Sequence, residues 1–277
     1  MADFDGKVVA ISGAARGQGR SHAVRFAKEG ARLVLFDICG QMSEVPYAMA
    51  TKNDLDETVR LVQEAGAEVV SGVADARTYD EVAAVMQSGI DAFGSPDVVV
   101  ANAGIWSEAG ALWEMTPKDF RAVVDVDLIG AWHTFRAALP TMVDAGKGGS
   151  IIATISAAGL KPLQNIGNYV AAKHGLVGLV KTAALELAPH GIRANCVSPG
   201  NTNTPIFRND AMKRLFVPDQ DEPSDDVFLS RAAGMVPLGV PYMEPGDITE
   251  AVLWLASDHA RYVTGTNISV DGGSAIS

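Results

Sequence analysis

The chain of 277 residues is 48% hydrophobic and 20% charged, an ordinary composition for a globular protein with a substantial core. Its net charge of −11 argues against nucleic acid and anionic membrane surfaces as partners, because both attract basic patches. Neither the two separated cysteines nor the five histidines have the spacing of a metal site, so no metal is expected. The first residues lack signal-peptide features and no apolar run is long enough to cross a membrane, which predicts a cytoplasmic protein.

The chain opens with a strand, a glycine-rich loop and a helix. Residues 7–12 are an apolar run typical of a buried parallel strand, and the helical pattern after the loop continues to about residue 29. Backbone N–H groups at the start of such a helix bind a pyrophosphate, and glycine leaves room for it. The spacing is G-x-x-x-G-x-G rather than the commoner G-x-G-x-x-G. The loop residues assigned to a dinucleotide are Gly13, Ala15, Arg16, Gly17, Gln18 and Gly19.

The second strand, residues 32–37, ends in an acidic residue. Asp37 lies 18 residues after Gly19, where a carboxylate can accept hydrogen bonds from the adenosine ribose hydroxyls. Because a carboxylate repels a 2′-phosphate, the sequence predicts NAD(H) rather than NADP(H). Arg16 is the one residue that favours NADP(H), but it fits a structural or pyrophosphate contact equally well. Ile38, next to Asp37, is assigned to the same site.

Residues 38–53 are long for a connection between a strand and a helix, and they are not low in complexity. This pattern predicts an ordered insertion. Asn53 is predicted to cap a helix that ends before Gly66, and residues 68–73 form the next strand. That strand leads to Asp75, which is expected beside the adenine.

The middle of the chain continues the alternation of helices and strands. Residues 78–93 are an amphipathic helix and residues 97–101 a fourth strand. A threonine, a proline and an acid within residues 116–119 begin a helix that is predicted to continue to about residue 143. The small residues after the fourth strand, which suit close approach by a cofactor, are Asn102, Ala103 and Gly104.

Three residues in the next segment suit proton transfer. A strand over residues 150–155 leads to Ser156, and the following helix, which runs to about residue 188, carries Tyr169 and Lys173. The tyrosine and lysine are four residues apart and share one helix face, where the ammonium lowers the pKa of the phenol. The Ser156 hydroxyl can hydrogen-bond a substrate oxygen. The tyrosine–lysine pair alone is weak evidence, but in the context of the whole chain it predicts proton transfer to an alcohol or carbonyl.

The last third of the chain contains a sixth strand over residues 193–198, which ends at Pro199, a short helix over residues 247–257, and a last strand over residues 267–270. Residues 205–243 are proline-rich and are interpreted as a helical lid over the substrate, with an oligomer contact as the alternative. The lid residues expected to offer apolar surface are Met212, Leu215, Phe216, Phe228 and Met235.

Strands alternate with helices throughout, without repeats or a linker, which predicts a single α/β domain. The expected architecture is a doubly wound parallel sheet of about seven strands with helices on both faces. Ligands of such sheets bind beyond the carboxyl ends of the strands. The residues that directly follow predicted strands are Gly13, Asp37, Asp75, Asn102, Ser156 and Pro199.

Taken in order, these motifs resemble the short-chain dehydrogenase/reductase family over essentially the whole chain. The resemblance implies one NAD-binding Rossmann-fold domain over residues 1–277 and commonly a homotetramer. The insertion, together with Asn203-Thr-Pro205 and Leu215-Phe-x-Pro-Asp219, is similar to the mycofactocin-associated branch, which includes carveol dehydrogenase-like enzymes. In that branch NAD is thought to stay bound and to be re-oxidised in place by mycofactocin.

The resemblance also implies a role for each matching residue. Tyr169 takes the hydroxyl proton in oxidation, Ser156 fixes the substrate oxygen, and Lys173 holds the nicotinamide ribose and lowers the pKa of Tyr169. Thr202 and Thr204 hold the carboxamide. The implied function is NAD-dependent interconversion of an apolar, carveol- or terpenoid-like secondary alcohol and its ketone.

One residue departs from the family pattern. Asp127 stands where the family usually has an asparagine, whose main-chain carbonyl helps to hold a water in the proton relay. An aspartate keeps that carbonyl and adds a negative charge, which raises the pKa of Lys173 and Tyr169 if it lies close to them. The hypothesis is that the relay survives and that the optimum moves to higher pH.

Two other functions stay open at this point. The first is NADPH-dependent carbonyl reduction within the same family, against which Asp37 argues. The second is a catalytically silent NAD-binding protein, which Asp127 allows and the presence of Ser156, Tyr169 and Lys173 disfavours. An apolar pocket is expected beside Trp106 and the lid, although a polar one is also compatible with the sequence.

Overall fold

The computed structural model describes residues 4–108 and 110–277, and its centre is a parallel sheet of seven strands. The strand order is β3-β2-β1-β4-β5-β6-β7, and every adjacent pair is parallel. The order reverses between β1 and β4, so ligands are expected at the carboxyl ends near that point. The strands are β1 (Val8–Ser12), β2 (Arg32–Asp37), β3 (Val69–Val73), β4 (Val98–Ala101), β5 (Gly149–Thr154), β6 (Ile192–Pro199) and β7 (Asn267–Val270).

Helices cover both faces of the sheet, as the sequence predicts. One core layer joins the sheet to α3, α5 and α6, and the other joins it to α1, α2 and α9. Because both faces are covered, the central strands are continuous apolar runs rather than alternating ones. The helices are α1 (Gly17–Lys28), α2 (Lys52–Glu64), α3 (Tyr79–Phe93), α4 (Pro117–Val124), α5 (Gly130–Ala145), α6 (Gly167–Leu187), α7 (Asp210–Phe216), α8 (Asp225–Gly234) and α9 (Pro245–Ala256).

One prediction about the helices is wrong, and another is incomplete. The cap of α2 is Thr51 rather than Asn53: the Thr51 side chain accepts the N–H of Asp54, and the Asp54 carboxylate accepts the N–H of Thr51. The long helix predicted to begin at residue 116 is interrupted by a π-helical turn, Asp125–Ile129, between α4 and α5. Such turns are frequent at functional sites, because the extra residue redirects the side chains around it.

The insertion between β2 and α2 is ordered by its own hydrogen bonds. The Gln41 amide donates to the carbonyls of Met42, Val45 and Tyr47, and its oxygen accepts the N–H of Met49. Apolar side chains of this segment also pack against the π-helical turn and its neighbours. The prediction of an ordered insertion agrees with these contacts.

Residues 205–243 contain α7 and α8, so this segment is helical as predicted. It has a small core of its own, formed by Phe207, Val217, Phe228 and Ala232. Phe228 is fully buried there and is therefore not part of an apolar surface, contrary to expectation. In the described part of the chain no helix has both the length and the apolar character needed to span a membrane.

Candidate active site

A cavity of about 710 Å³ lies at the carboxyl edge of the sheet. The residues predicted to follow six of the strands all line it, so parallel strand geometry brings together side chains that are distant in sequence. Ile38, Ala103, Gly104, Thr202 and Thr204 line the same cavity. The predicted residues that follow strands are Gly13, Asp37, Asp75, Asn102, Ser156 and Pro199.

The glycine loop is packed too tightly for side chains. A Cβ on Gly13 would lie 2.8 Å from the Cα of Ala103, and one on Gly19 would lie 2.1 Å from the carbonyl oxygen of Gly13. Gly13 and Gly17 have positive φ angles of 65° and 57°, which favour glycine. The Asn102 amide donates to the carbonyls of Ser12 and Gly13 and so joins the loop to the end of β4.

Two residues assigned to the cofactor do not line the cavity. Ala15 is fully buried and its N–H donates to the Asp37 carboxylate at 3.1 Å, while Gly19 packs behind the loop against Gly13. Both support the loop, and their assignment to the cofactor stays a prediction. Gln18, by contrast, lines the cavity, and its side-chain oxygen is buried without a hydrogen-bond partner in the described part of the chain.

Asp37 is held in place by backbone donors. One carboxylate oxygen accepts the N–H of Ala15 and the other accepts the N–H of Cys39. Burial raises the pKa of Asp37, while those N–H groups and the charge of Arg16 act in the opposite direction. The Arg16 guanidinium donates to the carbonyl of Ala48, so Arg16 makes a structural contact with the insertion.

Asp75 lines the cavity and is paired with Arg77. Both of its carboxylate oxygens accept from the Arg77 guanidinium, and the Arg77 N–H donates to one of them. Burial acts to raise the pKa of Asp75, but the contacts with Arg77 outweigh it and the pKa is lowered. Its carboxylate is therefore already engaged within the chain, and its place beside the adenine stays a prediction.

The proton-transfer residues meet in the cavity, where β5 ends and α6 begins. Ser156 follows β5, and its hydroxyl oxygen accepts the N–H of Ala158 at 3.1 Å. Tyr169 and Lys173 lie on α6, with the ammonium 5.4 Å from the centre of the phenol ring. Lys173 also donates to the carbonyl of Thr154 at 3.1 Å. Serine, tyrosine and lysine thus converge as the sequence predicts.

Asp127 contacts Lys173 with its side chain, which is the close approach on which the predicted effect of its charge depends. The carboxylate is fully buried; one oxygen lies 3.0 Å from the Lys173 ammonium and the other accepts the N–H of Ile105 at 2.9 Å. A Cβ on Gly104 would lie 3.2 Å from the first oxygen, so a larger residue at that position would crowd the ion pair. The π-helical turn holds Asp127 in this position.

The charges around Tyr169 oppose one another. Burial raises the pKa of Tyr169, Lys173 lowers it, Asp127 raises it, and a hydrogen bond with Ser156 lowers it, with a net increase. Burial lowers the pKa of Lys173, but Asp127 and Tyr169 outweigh burial and the pKa is raised. Asp127 therefore raises both pKa values, as predicted. The lowering effect of Lys173 on Tyr169 is present but does not prevail.

Comparison with known proteins agrees with this geometry. A family model described as enoyl-(acyl carrier protein) reductase matches residues 13–275. The chain is 40% identical to (−)-trans-carveol dehydrogenase of Rhodococcus erythropolis, with 100% of both chains covered. It belongs to the short-chain dehydrogenase/reductase family.

Two further members of the family bear on the site. The crystal structure of carveol dehydrogenase from Mycobacterium avium in complex with NAD superimposes with a TM-score of 0.98 at 42% identity, covering 100% of both chains. Cyclohexanol dehydrogenase of an Acinetobacter species is 34% identical, covering 97% of this chain and 95% of its own. The coverage of both relatives shows that the family match is not confined to the glycine loop.

The residues present fit a dinucleotide. The glycine loop forms a cradle that a Cβ would fill, and Gln18 supplies a buried acceptor that has no partner in the described chain. The Thr204 hydroxyl donates to the carbonyl of Thr202, and its methyl group faces Gly17. Both threonines are buried at the point where the loop meets the segment after β6.

Sequence reasoning did not assign Tyr47 and Ile206 to the site, although both line the cavity. The ring of Tyr47 stacks on Trp106, with centroids 6.3 Å apart, and the Trp106 indole N–H donates to the carbonyl of Ile206 at 3.1 Å. The one available signal was the presence of a large aromatic residue in an ordered insertion. Trp106, beside which the sequence predicts an apolar pocket, also lines the cavity.

Proposed function

We propose that this short-chain dehydrogenase/reductase uses NAD to interconvert an apolar, cyclic secondary alcohol and its ketone. The observation that carries the proposal is the convergence of Ser156, Tyr169 and Lys173 in a cavity whose other half is apolar. Carveol and cyclohexanol, after which two relatives are named, are both ring alcohols. The apolar lining includes Ile105, Trp106, Phe207, Met212, Leu215 and Phe216.

Each polar residue has one task in this reaction. The Ser156 hydroxyl hydrogen-bonds the substrate oxygen, and the Tyr169 phenol exchanges a proton with the same oxygen. Lys173 favours the phenolate, and Asp127 keeps Lys173 protonated and fixed in position. When bound, NAD supplies the acceptor for the hydride, and the protein supplies position and electrostatics.

The preference for NAD rests on Asp37. Its carboxylate lines the cavity at the end of β2, where it accepts hydrogen bonds from the ribose hydroxyls and repels a 2′-phosphate. NADPH-dependent carbonyl reduction is less well supported, since Arg16 is engaged with the insertion at Ala48. Binding of NADH and NADPH, each measured by nicotinamide fluorescence, tests this preference. Tighter binding of NADPH would contradict it.

The insertion supports a slowly exchanging cofactor. Met42, Tyr47, Met49 and Ala50 line the cavity, and Arg16 ties the insertion to the glycine loop. This arrangement, with the similarity to the mycofactocin-associated branch, supports a cofactor that is re-oxidised in place by mycofactocin. Helices α7 and α8 serve as a lid over the substrate in this proposal.

The test is the absorbance of the reduced nicotinamide after cyclohexanol or carveol is added to the purified protein. If one equivalent of bound NAD is reduced, and further turnover requires an artificial electron acceptor, the result supports a bound NAD that a redox partner re-oxidises. Sustained turnover with free NAD supports the dehydrogenase and contradicts the mycofactocin assignment. Bound cofactor without any reduction, across both alcohols, would instead support the catalytically silent alternative.

The chain is further proposed to form a homotetramer through α4, α5 and α6. Phe120 on α4 and Trp132 on α5 are large apolar residues that are exposed in the single chain. Light scattering coupled to size exclusion should give four times the chain mass of 29.0 kDa. Trp132→Glu should reduce that mass, and a monomeric wild-type protein would contradict the proposal.

A further inference from the structure

Trp106 contacts both segments that cover the cavity. Its side chain is only 3% exposed, although it follows a loop at the cavity wall. On one side the indole N–H donates to the carbonyl of Ile206, at the start of the lid segment. On the other side its ring is within 20° of parallel to the ring of Tyr47, which belongs to the insertion.

The main chain beside Trp106 is tied to the proton-transfer residues. The N–H of the preceding residue, Ile105, donates to the Asp127 carboxylate, whose other oxygen contacts Lys173. The backbone next to Trp106 is therefore held by the buried Asp127–Lys173 ion pair. The side chain of Trp106 is held by the insertion and by the lid segment. Packed neighbours do not deform continuously. A side chain held in this way therefore transmits a shift of the lid segment to the insertion, and the reverse.

We infer that Trp106 is a positioning residue that couples the lid to the insertion across the cavity. This inference rests on the proposed function, since it assigns the substrate to the lid side and NAD(H) to the insertion side. An alcohol that holds the lid closed keeps Trp106 in place, and Trp106 keeps Tyr47 and the insertion over the cofactor. By linkage, bound cofactor strengthens alcohol binding by the factor by which bound alcohol strengthens cofactor binding.

The direct test is the rate of NADH release, followed by nicotinamide fluorescence with and without cyclohexanol. NADH and an alcohol cannot react with each other, so the complex persists during the measurement. In the wild-type protein the alcohol should slow release by about fivefold, at the lower end of usual couplings. In Trp106→Phe, which keeps an aromatic ring but lacks the N–H donor to Ile206, the slowing should disappear.

Steady-state kinetics separate this role from a general structural defect. Trp106→Phe should raise KM for cyclohexanol, since Trp106 lines the cavity, and should lower kcat far less than Tyr169→Phe does, because Ser156, Tyr169 and Lys173 are untouched. Trp113→Phe is the matched control: Trp113 belongs to the same connection between β4 and α4 but is 86% exposed. It should leave release, KM and kcat unchanged. A Trp106→Phe variant that retains the effect of the alcohol on release would overturn the inference.

A second measurement needs no substrate. Tyr47→Leu removes the stacking partner of Trp106, and amide exchange is then measured in the NADH complex over residues 206–217 of the lid. We expect several-fold faster exchange in the wild-type background and no further increase in Trp106→Phe. Equal exchange with and without Tyr47 would refute the coupling. If cyclohexanol neither turns over nor slows release, the proposed substrate class fails, and the exchange experiment still decides the role of Trp106.

Discussion

The two halves of the cavity are built by different physical means. The cofactor half is formed by backbone: glycines at close approaches, N–H groups that bond Asp37, and an asparagine that bonds two carbonyls. The reaction half is formed by side chains from distant segments, chiefly the buried Asp127–Lys173 pair and Trp106, whose indole N–H donates to the carbonyl of Ile206. Backbone architecture leaves a local sequence pattern, whereas contacts between distant side chains do not.

The largest effect is expected from Tyr169→Phe, which tests the reaction half alone. The variant keeps the aromatic ring beside Lys173 and loses only the hydroxyl group, whose proton is exchanged with the substrate oxygen. Turnover of cyclohexanol should fall by roughly 10²–10⁴-fold while NADH still binds. Tyr262→Phe, which alters an 89% exposed residue, is the control and should retain full activity. Substantial turnover by Tyr169→Phe would remove Tyr169 from the mechanism.

Gly19→Ala tests the cofactor half with the chemistry left in place. The new Cβ would sit 2.1 Å from the Gly13 carbonyl oxygen, so the loop must move. We expect NADH affinity to fall by about 100-fold or more, comparable with about 3 kcal/mol of lost binding free energy. Gly246→Ala in the first turn of α9 meets no atom within 4 Å and should bind NADH normally. Equal affinities of the two variants would show that close packing is not what shapes the loop.

Asp37→Asn changes one charge within the cofactor half. The asparagine has the same shape but only one acceptor oxygen, so it removes the repulsion that the carboxylate exerts on a 2′-phosphate and also one of the hydrogen bonds from the N–H groups of Ala15 and Cys39. The ratio of kcat/KM for NAD to that for NADP should fall by roughly tenfold, which corresponds to about 1.4 kcal/mol. Asp75→Asn, at the end of the neighbouring strand and paired with Arg77, should leave the ratio unchanged. An unchanged ratio in Asp37→Asn would mean that another group selects the cofactor.

The fold and the cofactor half were predictable because their signals are local. Strand ends followed by Gly13, Asp37 and Asn102 place those residues on one edge of the sheet once the strands are parallel. The π-helical turn has no such signal, since its apolar pattern continues that of α4 and α5. The burial of Phe228 could not be predicted either, because an apolar residue can lie in the core of the lid segment or on its surface.

Asp127→Asn has the smallest expected effect and tests the charge that the sequence predicted to act on Lys173 and Tyr169. In alcohol oxidation the phenolate of Tyr169 is the active form, so activity rises with pH through the pKa of Tyr169. The Asp127 carboxylate raises the pKa of Tyr169, so its removal should move the rising part of the pH–rate profile to lower pH. At pH values below the wild-type rise, turnover should increase several-fold. Asp125→Asn is the control, since Asp125 lies in the same turn but is exposed.

Ultraviolet titration of the tyrosines, with Tyr169→Phe subtracted in each background, reports the same change without turnover. The phenolate of Tyr169 should appear at lower pH in Asp127→Asn than in the wild-type protein. A pH–rate profile that rises at higher pH in Asp127→Asn would mean that Lys173 had lost its proton. Burial alone lowers the pKa of that lysine, and the variant removes its buried partner. Identical profiles would mean that the carboxylate acts only on the position of Lys173 and not on the acidity of Tyr169.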